Sequence, residues 1–138
     1  MKNNLAKSMA KFSRLISTAE EEAKERCDIQ DLTVTQLNYL EIIRELGNPT
    51  VTELASVMKL TKPSVTCIVD RLATKGFIRK EHSNVDKRSS FLYLTESGEQ
   101  INKRHDYAHE YMAELITEKL NREEVNLFTI LLDKVTNS

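Results

Sequence analysis

Residues 50–98 restrict the possible fold of this 138-residue chain more than any other stretch. Thr50, with Glu53 three residues later, forms a capping box that opens a helix whose Leu54, Ala55 and Met58 share one side. After a short link, Thr61 caps a further helix, and Pro63 falls in its first turn, where a missing N–H costs nothing. Val65, Ile68, Val69 and Leu72 recur at helical spacing as its inner face, and Gly76 is a left-handed stop. Two strand-like runs follow, Phe77 to His82 and Ser90 to Leu94, joined by the basic loop SNVDKRS. Thr95 then caps a new helix. Two capped helices in tandem followed by a charged β-ribbon predict a helix-turn-helix with a wing, an arrangement that sets a helix and a ribbon side by side for docking on duplex DNA.

The remainder of the chain predicts helices. Leu5, Met9, Phe12, Ile16, Ala19 and Ala23 make one apolar stripe on a long first helix. A second runs from about Thr33 to Leu46, with Leu37, Leu40, Ile43 and Leu46 inward and Gly47 as its stop. Ile101, Ala108, Met112, Leu115 and Lys119 trace one face of the fifth, with Tyr107 and Tyr111 nearby. Asn121 and Glu124 form a capping box for a last helix carrying Val125, Phe128, Leu131, Leu132 and Val135. The expected class is mainly α with a small β-wing. Residues 1–138 form a single unit, 33–95 are the winged module, and 1–30 with 96–138 supply a helical dimerisation platform.

Composition limits the alternatives. Only 3 Gly and 2 Pro, with 40% hydrophobic residues, indicate an ordered, helix-rich chain. No apolar run approaches a membrane span and no signal-peptide pattern opens the sequence, so a cytoplasmic location is expected. Cys27 and Cys67 have neither zinc-ribbon spacing nor a secretory context and are expected as free thiols. The net charge of -1 by itself argues against a nucleic-acid binder, but its distribution argues for one. Residues 59–88 hold eight cations against three anions, and residues 20–31 hold six anions against two cations. One face is suited to phosphates and another is not.

On the fourth helix the outward residues Lys62, Ser64, Thr66, Cys67, Asp70, Arg71 and Thr74 are small, polar or basic. With the cap Thr61 they suit entry into a major groove, although alone they would be an ordinary solvated face. In the loop, Lys87 and Arg88, with Lys80 on the adjoining strand, are suited to a minor groove, and Asp86 to orienting an arginine.

These motifs resemble the multiple-antibiotic-resistance-regulator (MarR) family over nearly the full length. The marks are TELA at 52–55, KPSVT at 62–66, IVDRL at 68–72, KGFI at 75–78, DKR at 86–88 and LTESG at 94–98. The resemblance implies an obligate homodimer formed by the first, fifth and sixth helices and a palindromic operator in double-stranded DNA. It also implies a fourth helix in the major groove and Arg88 in the minor groove, supported by Asp86. Cys67 stands where many relatives carry arginine. A repressor is expected rather than an activator, with no required cofactor, no membrane partner and a small-molecule or metal effector.

A metal is one alternative for that effector. His105 and His109 lie one helical turn apart and could share zinc, or could simply be surface or interfacial residues. The family's zinc-responsive repressors carry two ligand histidines at this position. The same resemblance aligns Glu21 with their ligand glutamate and Cys27 with their secondary-site cysteine. It places Asn38 and Leu37 where they have a histidine and a glutamate. That alternative is a zinc-dependent repressor of metal-uptake genes. A further alternative is a winged helix used only for protein–protein interaction. An enzyme is not expected: HDYAH at 105–109 resembles a zinc-protease motif, but Asp106 replaces its general-base Glu, and no phosphate loop or nucleophile motif is present.

Overall fold

A computed structural model describes residues 1–82 and 90–137. Its elements are α1 (Lys2–Arg26), α2 (Val34–Leu46), α3 (Val51–Met58), α4 (Lys62–Thr74), β1 (Ile78–His82), β2 (Ser90–Leu94), α5 (Glu96–Thr117) and α6 (Arg122–Thr136). They gather into two compact units, Asp28–His105 and Met1–Cys27 with Asp106–Ser138. The chain passes from the first to the second within α5.

The unit Asp28–His105 has its core where α2, α3, α4 and the ribbon meet. Leu37, Leu40, Ile43, Leu54, Val65, Val69, Leu72, Ile78 and Leu92 are all buried. The caps explain the helix starts. Thr33 accepts from Gln36 N, and Gln36 Oε1 accepts from Thr33 N in return, so two otherwise unpaired donors are satisfied at once. Thr50 accepts from Glu53 N, but the return bond from the Glu53 carboxylate is not formed, so the box expected there is half complete. Gly47 ends α2 at φ 67, in the left-handed region that glycine enters without steric cost. Leu46, expected inward, is exposed. The inward face of α2 is completed instead by Gln36 and Tyr39, both buried.

β1 and β2 pair antiparallel, from Ile78 opposite Leu94 to His82 opposite Ser90. The ribbon is fixed to the helices at two places. Leu92 N donates to Pro49 O at 2.8 Å, and Thr50 bridges Phe91, so the strand is joined to the start of α3. At the other end Thr95 is a joint: its N–H donates to Phe77 O, its hydroxyl donates to Gly76 O, and the same oxygen accepts from Gly98 N. Gly98 is buried against this turn, where a Cβ would stand 2.1 Å from Phe77 O. The LTESG motif therefore seats the first turn of α5 on the backbone that follows α4. Asn102, one turn on, donates from Nδ2 to Leu40 O at 3.0 Å and ties α5 to α2.

In the other unit, Ala19 and Ala23 of α1 are buried, and Phe12 meets Phe128 of α6 edge-on at 6.2 Å. Tyr111 donates to Glu22 Oε2 at 3.0 Å while Arg26 lies over its ring. The Glu22 hydrogen bond, then burial, pushes the Tyr111 phenol above its usual range. Asn121 and Glu124 form the complete capping box expected for α6. No residue of α6 is buried, and Leu127, Ile130, Leu131, Leu132 and Val135 are 43–74% exposed. Leu5, Met9 and Leu15 of α1 are exposed too. Among the described residues, no helix is long and apolar enough to cross a membrane.

Candidate nucleic-acid interface

α4 presents its polar side outward because its apolar residues recur on the other. Val65, Val69 and Leu72 face the core, and Lys62, Ser64, Cys67, Asp70, Arg71 and Thr74 are exposed, with Thr66 half-buried at the margin. The cap orders its first turn. Thr61 Oγ1 accepts from Ser64 N and donates to Ser64 Oγ at 2.8 Å, so both hydroxyls are fixed at the helix start. The preceding link turns through Lys59, a non-glycine residue at φ 57.

The ribbon lies beside this helix. Lys80 on β1 pairs with Asp70 on α4, a link that the sequence motifs did not announce. Arg79 is engaged elsewhere, over the Tyr93 ring and 3.3 Å from Glu81. Lys62, Thr66 and Asp70 are spaced by four and form a row along α4. A cleft of about 160 Å³ opens between Lys62 and Thr66 of this row, the start of α3 and the ribbon. Of the residues proposed for DNA contact, Thr61, Lys62, Ser64, Thr66, Cys67, Arg71 and Lys80 thus fall on one helix and its neighbouring strand. Asp86, Lys87 and Arg88 lie outside the described residues.

Tyr39 stands behind the outer face. Burial, and secondarily the negative charge of a Cys67 thiolate, raise its phenol above the ordinary 10.0. Cys67 is exposed and Cys27 half-buried, both as free thiols.

Two of the candidate metal residues, His105 and His109, lie on α5. His105 is buried, with Nδ1 3.9 Å from Glu41 Oε2 on α2, and His109 follows one turn later on α5. Glu41, a carboxylate beside His105, is missing from the sequence expectation because nothing in its local pattern sets it apart. Glu21 lies 3.9 Å from Lys24 Nζ, three residues along α1, and Asn38 is exposed.

The described fold is a winged helix-turn-helix with long flanking helices, the architecture of DNA-reading regulators. The profile of the MarR family matches residues 32–90. The multiple antibiotic resistance protein MarR of Salmonella typhimurium is 32% identical over 106 residues, 76% of this chain and 74% of that protein. This chain belongs to the MarR family. Among solved structures it is similar to FabT of Streptococcus pneumoniae in complex with DNA, with a TM-score of 0.83 at 20% identity over 99% of this chain and 96% of that one. It is also similar to a cysteine-to-serine mutant of MarR from E. coli complexed with operator DNA, with a TM-score of 0.74 at 25% identity over 99% and 98% of the two chains.

Proposed function

We propose that this chain is a transcriptional regulator that binds a palindromic operator as a homodimer and represses until an effector shifts its affinity. The observation that carries the reading is the outer face of α4, with its ordered Thr61–Ser64 start, set beside the Lys80 strand. Lys62, Ser64, Thr66, Cys67 and Arg71 would enter the major groove, while Lys87 and Arg88, supported by Asp86, would enter the minor groove. The relatives support it, since structures similar to this chain were determined on DNA. The exposed apolar stripe of α6, with that of α1, would be covered by a second copy, and residues 33–95 would be the reading module. The place of action is the cytoplasm, and no catalysis is assigned.

An organic effector is the reading adopted for the signal. A zinc effector has less support, because the amide Asn38, a poor zinc ligand, stands where the zinc-responsive relatives are expected to carry a histidine. The test is binding of the metal-stripped protein to its own upstream DNA by fluorescence anisotropy, against a scrambled duplex, with and without zinc. Specific binding that weakens steeply with salt is expected. Arg71→Ala and Arg88→Ala should each weaken it by about 1–3 kcal/mol, roughly five- to 150-fold. Zinc should leave affinity unchanged; tightening by zinc that His105→Ala abolishes would make the effector a metal. Equal affinity for both duplexes at every salt concentration would sink the regulator reading.

A further inference from the structure

The inference concerns how the recognition helix is held, and it rests on the DNA-binding reading above. The face of α4 that would read DNA begins at Thr61–Ser64, and the rest of the unit grips the opposite end. On one side Thr95, just before α5, donates its hydroxyl to Gly76 O and its N–H to Phe77 O. On the other, Lys75, the C-cap of α4, donates from Nζ to Gln36 Oε1 at 3.3 Å. Gln36 lies 39 positions earlier, in the first turn of α2, and is 5% exposed.

A lysine at the end of a helix is ordinarily a solvated cation beside the helix's negative pole. Lys75 differs in its partner. Its ammonium makes no ion pair among the described residues and turns instead to a neutral amide oxygen. That oxygen is already committed, since it accepts from Thr33 N at 3.2 Å and closes the capping box of α2. An amide oxygen has two lone pairs, and here both are used. One atom thus joins the start of α2 to the end of α4, and a bond from an ionised donor is stronger than its neutral counterpart.

Leverage makes this small link matter. α4 has 13 residues, so it is about 20 Å long. A tilt of about 5° at Lys75 carries the start of the helix through roughly 1.7 Å. Side chains that recognise a partner have to be placed to within about 0.5 Å.

We propose that Gln36 and Lys75 are positioning residues for operator recognition. The shared Gln36 oxygen sets the tilt of α4 on α2, and through it the depth to which Lys62, Ser64 and Thr66 enter the major groove. Neither side chain reads a base. Lys75 acts through the helix it ends, and Gln36 acts through Lys75.

Lys75→Met keeps most of the aliphatic stem, removes the donor and leaves the Thr33–Gln36 box intact, so it isolates the link. Its binding to the upstream duplex and to a scrambled duplex is followed by fluorescence anisotropy across a salt series, beside urea denaturation. Affinity for the upstream duplex should fall about tenfold for the two protomers together, the worth of two modest hydrogen bonds. Affinity for the scrambled duplex, the slope of log K against log salt and the urea midpoint should stay as they are. Lys75→Arg keeps a donor, and Gln36→Glu keeps both acceptor roles with the other residue common in capping boxes, so both should bind like the unsubstituted protein. Unchanged upstream affinity in Lys75→Met overturns the proposal and leaves the DNA reading standing. An equal loss on both duplexes, with a slope flattened by about 1.8, would make Lys75 a phosphate contact and overturn it too. A lowered urea midpoint without loss of specificity, or a loss that Lys75→Arg and Gln36→Glu share, would give the link a purely structural role. If the unsubstituted protein does not distinguish the two duplexes, the proposal and the DNA reading fall together.

Discussion

Gly98 shows how much one missing methyl can decide. A Cβ there would meet Phe77 O at 2.1 Å, and the obstacle is backbone, held by two bonds from Thr95 and its neighbours. Gly98→Ala should cost about 1–3 kcal/mol in urea denaturation, the range of core overpacking. Gly47 is a useful contrast, since a Cβ there meets nothing within 4 Å and the penalty comes from φ 67 alone. Gly47→Ala should cost about 1–2 kcal/mol. Asn102 is a second sensitive position: it is 1% exposed, Nδ2 is bonded to Leu40 O, and Oδ1 is buried without a partner among the described residues. Asn102→Asp would place a charge there and should cost roughly 2–4 kcal/mol near neutral pH, with part of the loss recovered as acid protonates the carboxylate. Tyr39 makes a prediction in alkali. Because its phenol is raised in the fold, its neutral form contributes stability that is complete below pH 10 and lost as pH rises through the folded pKa. Tyr39→Phe should remove that alkaline slope in a stability–pH series, and an unchanged slope would assign it to another group.

Among the elements, the caps made the helices legible. Thr61, Thr95 and Asn121 each accept the backbone bond that their sequence context predicts, and β1 begins one residue later than the hydropathy suggests. Thr61→Ala should destabilise by about 1 kcal/mol and weaken DNA binding further, because the Ser64 hydroxyl loses its anchor. Equal losses in stability and binding would leave the cap a purely structural role. What the pattern could not give was partnership at long range. Periodicity identifies a stripe but not its edges: the spacing predicts Leu46 inward, while Gln36 and Tyr39 complete that side. Capping is a local code: Thr33 and Gln36, spaced as S/T-x-x-Q, form a complete box, while the Thr50–Glu53 box is half formed. The Asp70–Lys80 pair joins positions ten residues apart across a turn, and Glu41 reaches His105 from a helix 64 positions earlier. Neither spacing carries a recognisable signature. The outer residues of α4 could be read because their chemistry repeats every three or four positions on one short helix.

At the scale of the whole molecule, the proposed working form is a pair of chains. The apolar stripes of the terminal helices and the family motifs point to a dimer, and the exposed leucines and isoleucine of α6 agree with that expectation, since so much contiguous apolar surface is uncommon on a monomer. Leu127→Asp combined with Leu131→Asp should convert the dimer to a monomer in analytical ultracentrifugation and abolish binding to a two-half-site duplex. A variant that stays dimeric would move the interface away from α6. A dimer is also what a palindrome requires, because each recognition helix must find its half-site about one helical turn from the other.

The bare apolar side of α6 has a consequence for regulation that involves no ligand. If the working form contains two chains, its amount follows the square of the free-chain concentration wherever dimerisation is unsaturated. Halving the supply of chains then leaves a quarter of the active species, so occupancy of a promoter falls more steeply than expression does. Dilution by growth, proteolysis or a pause in translation would each act as a signal, and the sharpness of the response would be set by how well a few exposed leucines fit against their counterparts.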